Sequence, residues 1–154
     1  VTRVLVAGIG NMFFGDDGFG SEVVRQLGGP LPPGTRVADF GIRVLHLAYE
    51  LLVPIELLVI ADCMQRGGMP GTLYVIEPDA AALEASVADA HGASLATLFA
   101  TVRELGGTIP PTRLVGCEPE SVEPGMGLSP AVTRALAGAA DLIRELISHP
   151  EVVT

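Results

Sequence analysis

Lysine is missing altogether: each of the nine basic residues, from Arg3 to Arg144, is an arginine. That absence removes Schiff-base chemistry, a lysine general base and the lysine of a phosphate-binding P-loop. The arginines are also scattered, and against 18 acidic residues they leave a net charge of -9. A nucleic-acid backbone would find no basic patch to bind, so nucleic acid is not an expected partner. Cysteine is scarce. Cys63 and Cys117 stand in neither a CxxC nor a CxxH pair, which argues against a closed zinc site. In a chain that reads as cytoplasmic they are expected to be reduced thiols and not a disulfide. No apolar run approaches the ~18 residues of a membrane span, and with a strand-like stretch starting at Arg3 no secretory leader is expected. The expectation is a cytoplasmic monomer without membrane contact.

What is present is enough for one core: 154 residues, 49% of them hydrophobic, suit a single α/β domain over residues 1–154. Arg3 to Gly8 reads as a strand buried on both faces, because its apolar run is short, rich in branched residues and ends in glycine. A glycine-rich loop to Asp17 and a helix from Gly18 to Leu27 follow, the helix stopped by Gly28-Gly29-Pro30. Further strands are expected at Thr35 to Phe40, Glu56 to Ala61, Thr72 to Glu77 and Thr112 to Gly116. The intervening helices fall at Arg43 to Leu52 and Leu95 to Leu105. Ser129 as N-cap and Pro130 at the first helical position start a last helix that carries Val132, Leu136, Ala139, Ile143 and Ile147 on its apolar face.

Strands alternating with helices predict a twisted, mostly parallel five-stranded sheet covered by helices on both faces. The loop before Thr72 is too short for a helical crossover, so that strand is expected to pair antiparallel at an edge. The alanine-rich stretch Asp79 to Ala90 reads as a mobile surface segment.

In such a sheet ligands settle beyond the carboxyl ends of the strands, where neighbouring connections diverge. The residues following the strands are Asp16 and Asp17, Asp39, Asp62, and Cys117 with Glu118, so acidic groups from four strand ends are expected to converge on one crevice. The opening loop Gly8-Ile9-Gly10-Asn11-Met12-Phe13 resembles a dinucleotide fingerprint only in part. Phe13 replaces its third glycine, and two aspartates stand where a pyrophosphate would approach. Asp17 and Asp62 are hard oxygen donors, and a neutral imidazole from His91 would complete a set able to hold a first-row divalent ion with positions left open. Only the fold brings the two aspartates together, because no local metal-ligand spacing links them.

The residues Val6-Ala7-Gly8-Ile9-Gly10-Asn11 and Gly15-Asp16-Asp17-Gly18-Phe19-Gly20 resemble the opening signature of the nickel-iron hydrogenase maturation endopeptidases. The likeness continues in order through Asp39-Phe40-Gly41, Val59-Ile60-Ala61-Asp62, Pro70-Gly71-Thr72 and His91, then Val115-Gly116-Cys117-Glu118-Pro119 and Gly127-Leu128-Ser129-Pro130. The resemblance implies an endopeptidase that removes a C-terminal extension from a hydrogenase large-subunit precursor. It implies no permanently bound cofactor: the nickel comes installed in the substrate and is contacted by Asp17, Asp62 and His91. The docked ion is then expected to orient the nearby peptide bond, with a carboxylate such as Asp39 or Asp17 helping proton transfer. Many members carry two glycines after the aspartate where this chain has Phe40-Gly41. The same ligands would also suit a non-catalytic nickel carrier or hydrogenase assembly factor.

Plainer readings stand beside these. One of Asp16 and Asp17 could cap the first helix. A lone histidine in a polar stretch, such as His91, is commonly an exposed loop residue, while His46 and His149 read as structural or solvated. Met12-Phe13-Phe14 are either core or an exposed docking surface. The loop Glu118 to Ser129 is either a rigid turn or part of a substrate cleft.

Overall fold

A computed structural model describes residues 3–78 and 90–150, with residues 90–94 described by their backbone alone. Five strands, β1 (Val4–Ile9), β2 (Thr35–Gly41), β3 (Leu57–Cys63), β4 (Leu73–Ile76) and β5 (Thr112–Cys117), form one sheet in the order β2-β1-β3-β5-β4. All neighbours run parallel except β4, which pairs antiparallel with β5 at the edge, as its short preceding loop requires. Among the described residues four α-helices accompany them: α1 (Phe19–Gln26), α2 (Val44–Glu50), α3 (Ala90–Glu104) and α4 (Pro130–Ser148). Of the alanine-rich stretch Asp79 to Ala90 expected to be mobile, residues 79–89 lie outside the described residues and Ala90 opens α3. Among the described residues no helix is long and apolar enough to cross a membrane.

The central strands explain their own composition. β1 and β3 are buried along their whole length, so both faces must be apolar and alternation of polarity is absent. Val4, Val6, Leu57, Val59 and Ala61 pack against α1 and α4, through Val23, Leu136, Ala139 and Ile143 among others. Leu5, Ala7, Leu58 and Ile60 face the opposite way onto α2 and α3, through Leu47, Leu51, Leu98, Phe99 and Val102. α4 opens as its sequence predicts: the Ser129 hydroxyl accepts from the Val132 N–H at 3.4 Å and Pro130 takes the first helical position.

Two local departures from expectation matter for the site. The first helix does not start from an aspartate cap: Gly15–Gly18 forms a separate turn of 3-10 helix, and α1 then begins at Phe19 with Gly18 at its N-cap and no side-chain cap. α3 starts earlier than the apolar spacing indicated, so the backbone of His91 belongs to its first turn and not to a loop. The other end of α3 lies beside the end of α2, since a side chain on Gly107 would meet both Val102 and Leu52.

Candidate active site

The strand order reverses direction at β1: its connection to β2 runs over one face through α1, and the path on to β3 returns over the other through α2. This is the switch point at which a crevice must open. Register sets what flanks it, because Gly8 lies between Asp39 of β2 and Ala61 of β3, with Asp62 one residue further on. Two glycines allow the walls to close in. A Cβ on Gly20 would stand 2.2 Å from the Ala61 carbonyl oxygen and 2.3 Å from that of Ile9, so the start of α1 sits directly on β1 and β3. Gly10, at φ 131°, brings the first loop back past the Asp17 carbonyl, which a Cβ would meet at 2.1 Å.

The same point beside Gly10 lies 3.5 Å from Asp62 Oδ1. Residues Asp17 and Asp62, remote in the chain, therefore lie around one glycine. Asp17 Oδ2 accepts the Asn11 N–H at 2.8 Å, which closes the first loop onto the carboxylate and occupies an amide that a phosphate would otherwise seek. Asp62, 4% exposed, accepts the Cys63 N–H through Oδ1 at 2.8 Å. Asp39 stands across β1 with its Oδ1 accepting both the Ser21 hydroxyl at 2.7 Å and the Gly41 N–H at 3.0 Å. It lines an open cleft of about 400 Å³ together with Met12, Phe13 and Gly41. Where the family pattern has a second glycine, Phe40 is buried among the core side chains of the α2 and α3 face and Gly41 takes the turn at φ 56°. The His91 imidazole lies outside the described residues, and among those described no three histidine, cysteine or acidic side chains group as a metal site.

Convergence of all the strand-end acids on one crevice is corrected by the structure, because Asp16 and Glu118 are turned to other tasks. Asp16 is fully buried, and its carboxylate accepts four bonds from the β5–α4 loop: Glu120 N–H at 2.8 Å, Ser121 N–H at 3.2 Å, Ser129 N–H at 2.7 Å and the Ser129 hydroxyl at 2.9 Å. A buried charge is tolerable only with its lone pairs filled in this way. Asp16 caps no helix; it ties the loop to the turn that carries Asp17. Asp16→Ala leaves those donors without an acceptor and is expected to cost about 2–4 kcal/mol, with Asp16→Asn intermediate, as read from urea unfolding curves.

Glu118 anchors a second loop. Its Oε1 accepts the Arg66 N–H at 2.9 Å, the Gly68 N–H at 3.0 Å and the Tyr74 hydroxyl at 2.6 Å, while the Arg66 guanidinium lies over the Tyr74 ring. Burial pushes the Glu118 pKa upward, but the Tyr74 hydroxyl and the backbone N–H groups together outweigh it and hold the carboxyl below its ordinary value of 4.5. A depressed carboxylate pKa stabilises the fold above the ordinary value, and that stability is lost as pH falls through the lowered one. Wild type should therefore lose its advantage over Glu118→Gln as the pH drops below about 4.5. Denaturant midpoints across that range, compared between the two proteins, provide the check.

Both cysteines are buried thiols. Burial, reinforced by Cys63, Asp16 and Glu118 nearby, pushes Cys117 up to about 12, so it is no thiolate nucleophile at neutral pH. Sequence reasoning missed Ser21, which orients Asp39. The hydroxyl follows Gly18-Phe19-Gly20 by one residue, and only the packing of α1 on β2 gives it a partner.

Fold and site together define an α/β protein with an acidic crevice at the strand ends. The model of a family described as hydrogenase maturation protease matches residues 22–146. The hydrogenase expression/formation protein HupD of Rhodobacter capsulatus is 34% identical, over 94% of this chain and 71% of its own length. The hydrogenase 2 maturation protease of Escherichia coli is 27% identical, over 92% and 88% respectively. Among solved structures, the hydrogenase maturating endopeptidase HybD from E. coli superposes with a TM-score of 0.81 at 28% identity, covering 98% of this chain and 94% of that one. A hydrogenase 2 maturation peptidase from a Thaumarchaeota archaeon gives 0.73 at 30% identity, covering 96% and 99%. The chain belongs to the hydrogenase maturation protease family, and it is an endopeptidase of that class.

Proposed function

We propose that this chain removes the C-terminal extension of a hydrogenase large-subunit precursor once nickel has been installed, and that Asp17, Asp62 and His91 contact the nickel the substrate carries. The observation that supports this reading is the placement of Asp17 and Asp62 around Gly10 at the switch point of the sheet. Two carboxylates set in one crevice form a seat of negative charge that attracts a cation. The family's name supplies the substrate class, and an ion borne by that substrate is the cation such a seat receives. No resident cofactor is needed, and the enzyme acts in the cytoplasm as a monomer.

The chemistry then divides between positioning and proton transfer. A substrate-borne ion seated against Asp17 and Asp62 fixes the neighbouring peptide bond relative to the protein, which converts an encounter into an oriented complex. Asp39 keeps Oδ1 on Ser21 and Gly41, so Oδ2 is left for a water in the cleft. As general base it takes that water's proton during attack on the scissile carbonyl and returns it to the departing amine.

Mixing the enzyme with precursor prepared with and without nickel tests the reading. Cleavage is expected only of the loaded form. Equal rates on both forms end the checkpoint, and tight nickel binding by the isolated protein without any cleavage identifies a carrier instead.

A further inference from the structure

Arg43 lines the same cleft as Asp39. Its Nε donates to the Phe40 carbonyl at 3.2 Å and its Nη2 to the Asp39 carbonyl at 2.7 Å. Those two bonds use one edge of the guanidinium and fix its plane. The Nη1 donors and the second Nη2 hydrogen remain, and they form the fork that meets a carboxylate with two parallel bonds. Among the described residues no carboxylate lies within ion-pairing distance of Arg43, whereas Arg25, Arg36, Arg113 and Arg144 each face an acid on the protein itself. Arg3, Arg66 and Arg134 likewise form no ion pair with a described residue; what sets Arg43 apart is that two backbone carbonyls hold its guanidinium at the cleft.

The surroundings point to a peptide. Phe13 and Ile42, 59% and 73% exposed, stand on the cleft wall with Met12, large apolar surfaces that a protein substrate would cover. We infer that Arg43 binds an acidic side chain of the precursor segment lying in the cleft, with Phe13 and Ile42 packing on apolar residues beside it. This inference rests on the peptidase reading above. A side chain is the source, and not the substrate's terminal carboxylate, because an endopeptidase cuts within a chain that continues on both sides of the cleft. The overall negative field repels acidic segments, so the local cation selects where along the extension the cleft is occupied.

The test is steady-state cleavage of nickel-loaded precursor by wild type, Arg43→Gln and Arg43→Lys. Arg43→Gln is expected to raise KM about tenfold or more with kcat little changed, the scale of a lost charge-assisted bond. Arg43→Lys should recover part of the loss, because it keeps the charge without the fork. Replacing the acidic residues of the extension by their amides, one at a time, should reveal one position at which wild type and Arg43→Gln become equal. Because Arg43 is exposed, the thermal unfolding of all three proteins should coincide. Equal KM values for wild type and Arg43→Gln overturn the inference while leaving the peptidase reading intact. So does a loss reproduced only by amidating the substrate's C-terminus. Failure of wild type to cleave the loaded precursor removes the parent reading and this one with it.

Discussion

Asp62→Ala is expected to abolish processing of nickel-loaded precursor, by at least about a thousandfold, the scale on which loss of a charged group acting at the reacting centre is felt. Its fold should survive. Asp62 ends a strand whose packing comes from Leu58, Ile60 and their neighbours, and the carboxylate itself accepts the N–H of the next residue, Cys63. The hydrophobic packing of β3 is left intact, so a cooperative unfolding transition should be retained. Asp62→Glu separates position from charge: it keeps the carboxylate but shifts it by one methylene, and partial activity is expected. A folded Asp62→Ala enzyme that cleaves at the wild-type rate would take this residue out of the mechanism.

Gly20→Ala should be strongly destabilising. The new Cβ would lie 2.2 Å from the Ala61 oxygen and 2.3 Å from the Ile9 oxygen, both backbone atoms of buried central strands. No side chain can rotate away to accommodate it. Relief requires α1 to withdraw from the sheet, which opens the packing of Phe19, Val23 and Val24, and a loss of more than about 3 kcal/mol or failure to accumulate folded protein is expected. Gly28→Ala is the control, since a methyl group there meets nothing within 4 Å and should be neutral or slightly stabilising. Urea midpoints for the two variants decide the matter; similar values would mean that the close seating of α1 is not a requirement of the fold.

The fold was legible because its signals are hydrophobic and local. Two uniformly apolar strands, the helical spacing of Leu95, Leu98, Phe99 and Val102, and the Ser129-Pro130 start each point to one element. The short loop before β4 revealed its antiparallel direction. The strand-end rule picked out Asp17 and Asp62, and the parallel pairing of β1 with β3 in the structure brings them together. What stayed hidden were the side chains whose partners are backbone groups. Asp16, Glu118 and Arg43 bond to peptide N–H or C=O groups in loops or at strand ends, and every residue carries those groups, so no pattern of letters announces them. Asp16 and Asp17 are adjacent and identical in type but bonded differently. The 3-10 turn that carries both gives one carboxylate to the β5–α4 loop and the other to the Asn11 N–H.

The bonds from Ser129 to Asp16 join residues 113 positions apart, and this sets an order of events during synthesis. The ribosome delivers the first loop and four of the five strands well before the segment that holds the Asp16 turn in place. Until Ser129 has emerged and α4 has docked, that turn lacks its clasp, and long-range closures of this kind are the slow steps of assembly. A chain that stops short of Ser129 lacks two of the four bonds that fill the Asp16 carboxylate beside Asp17.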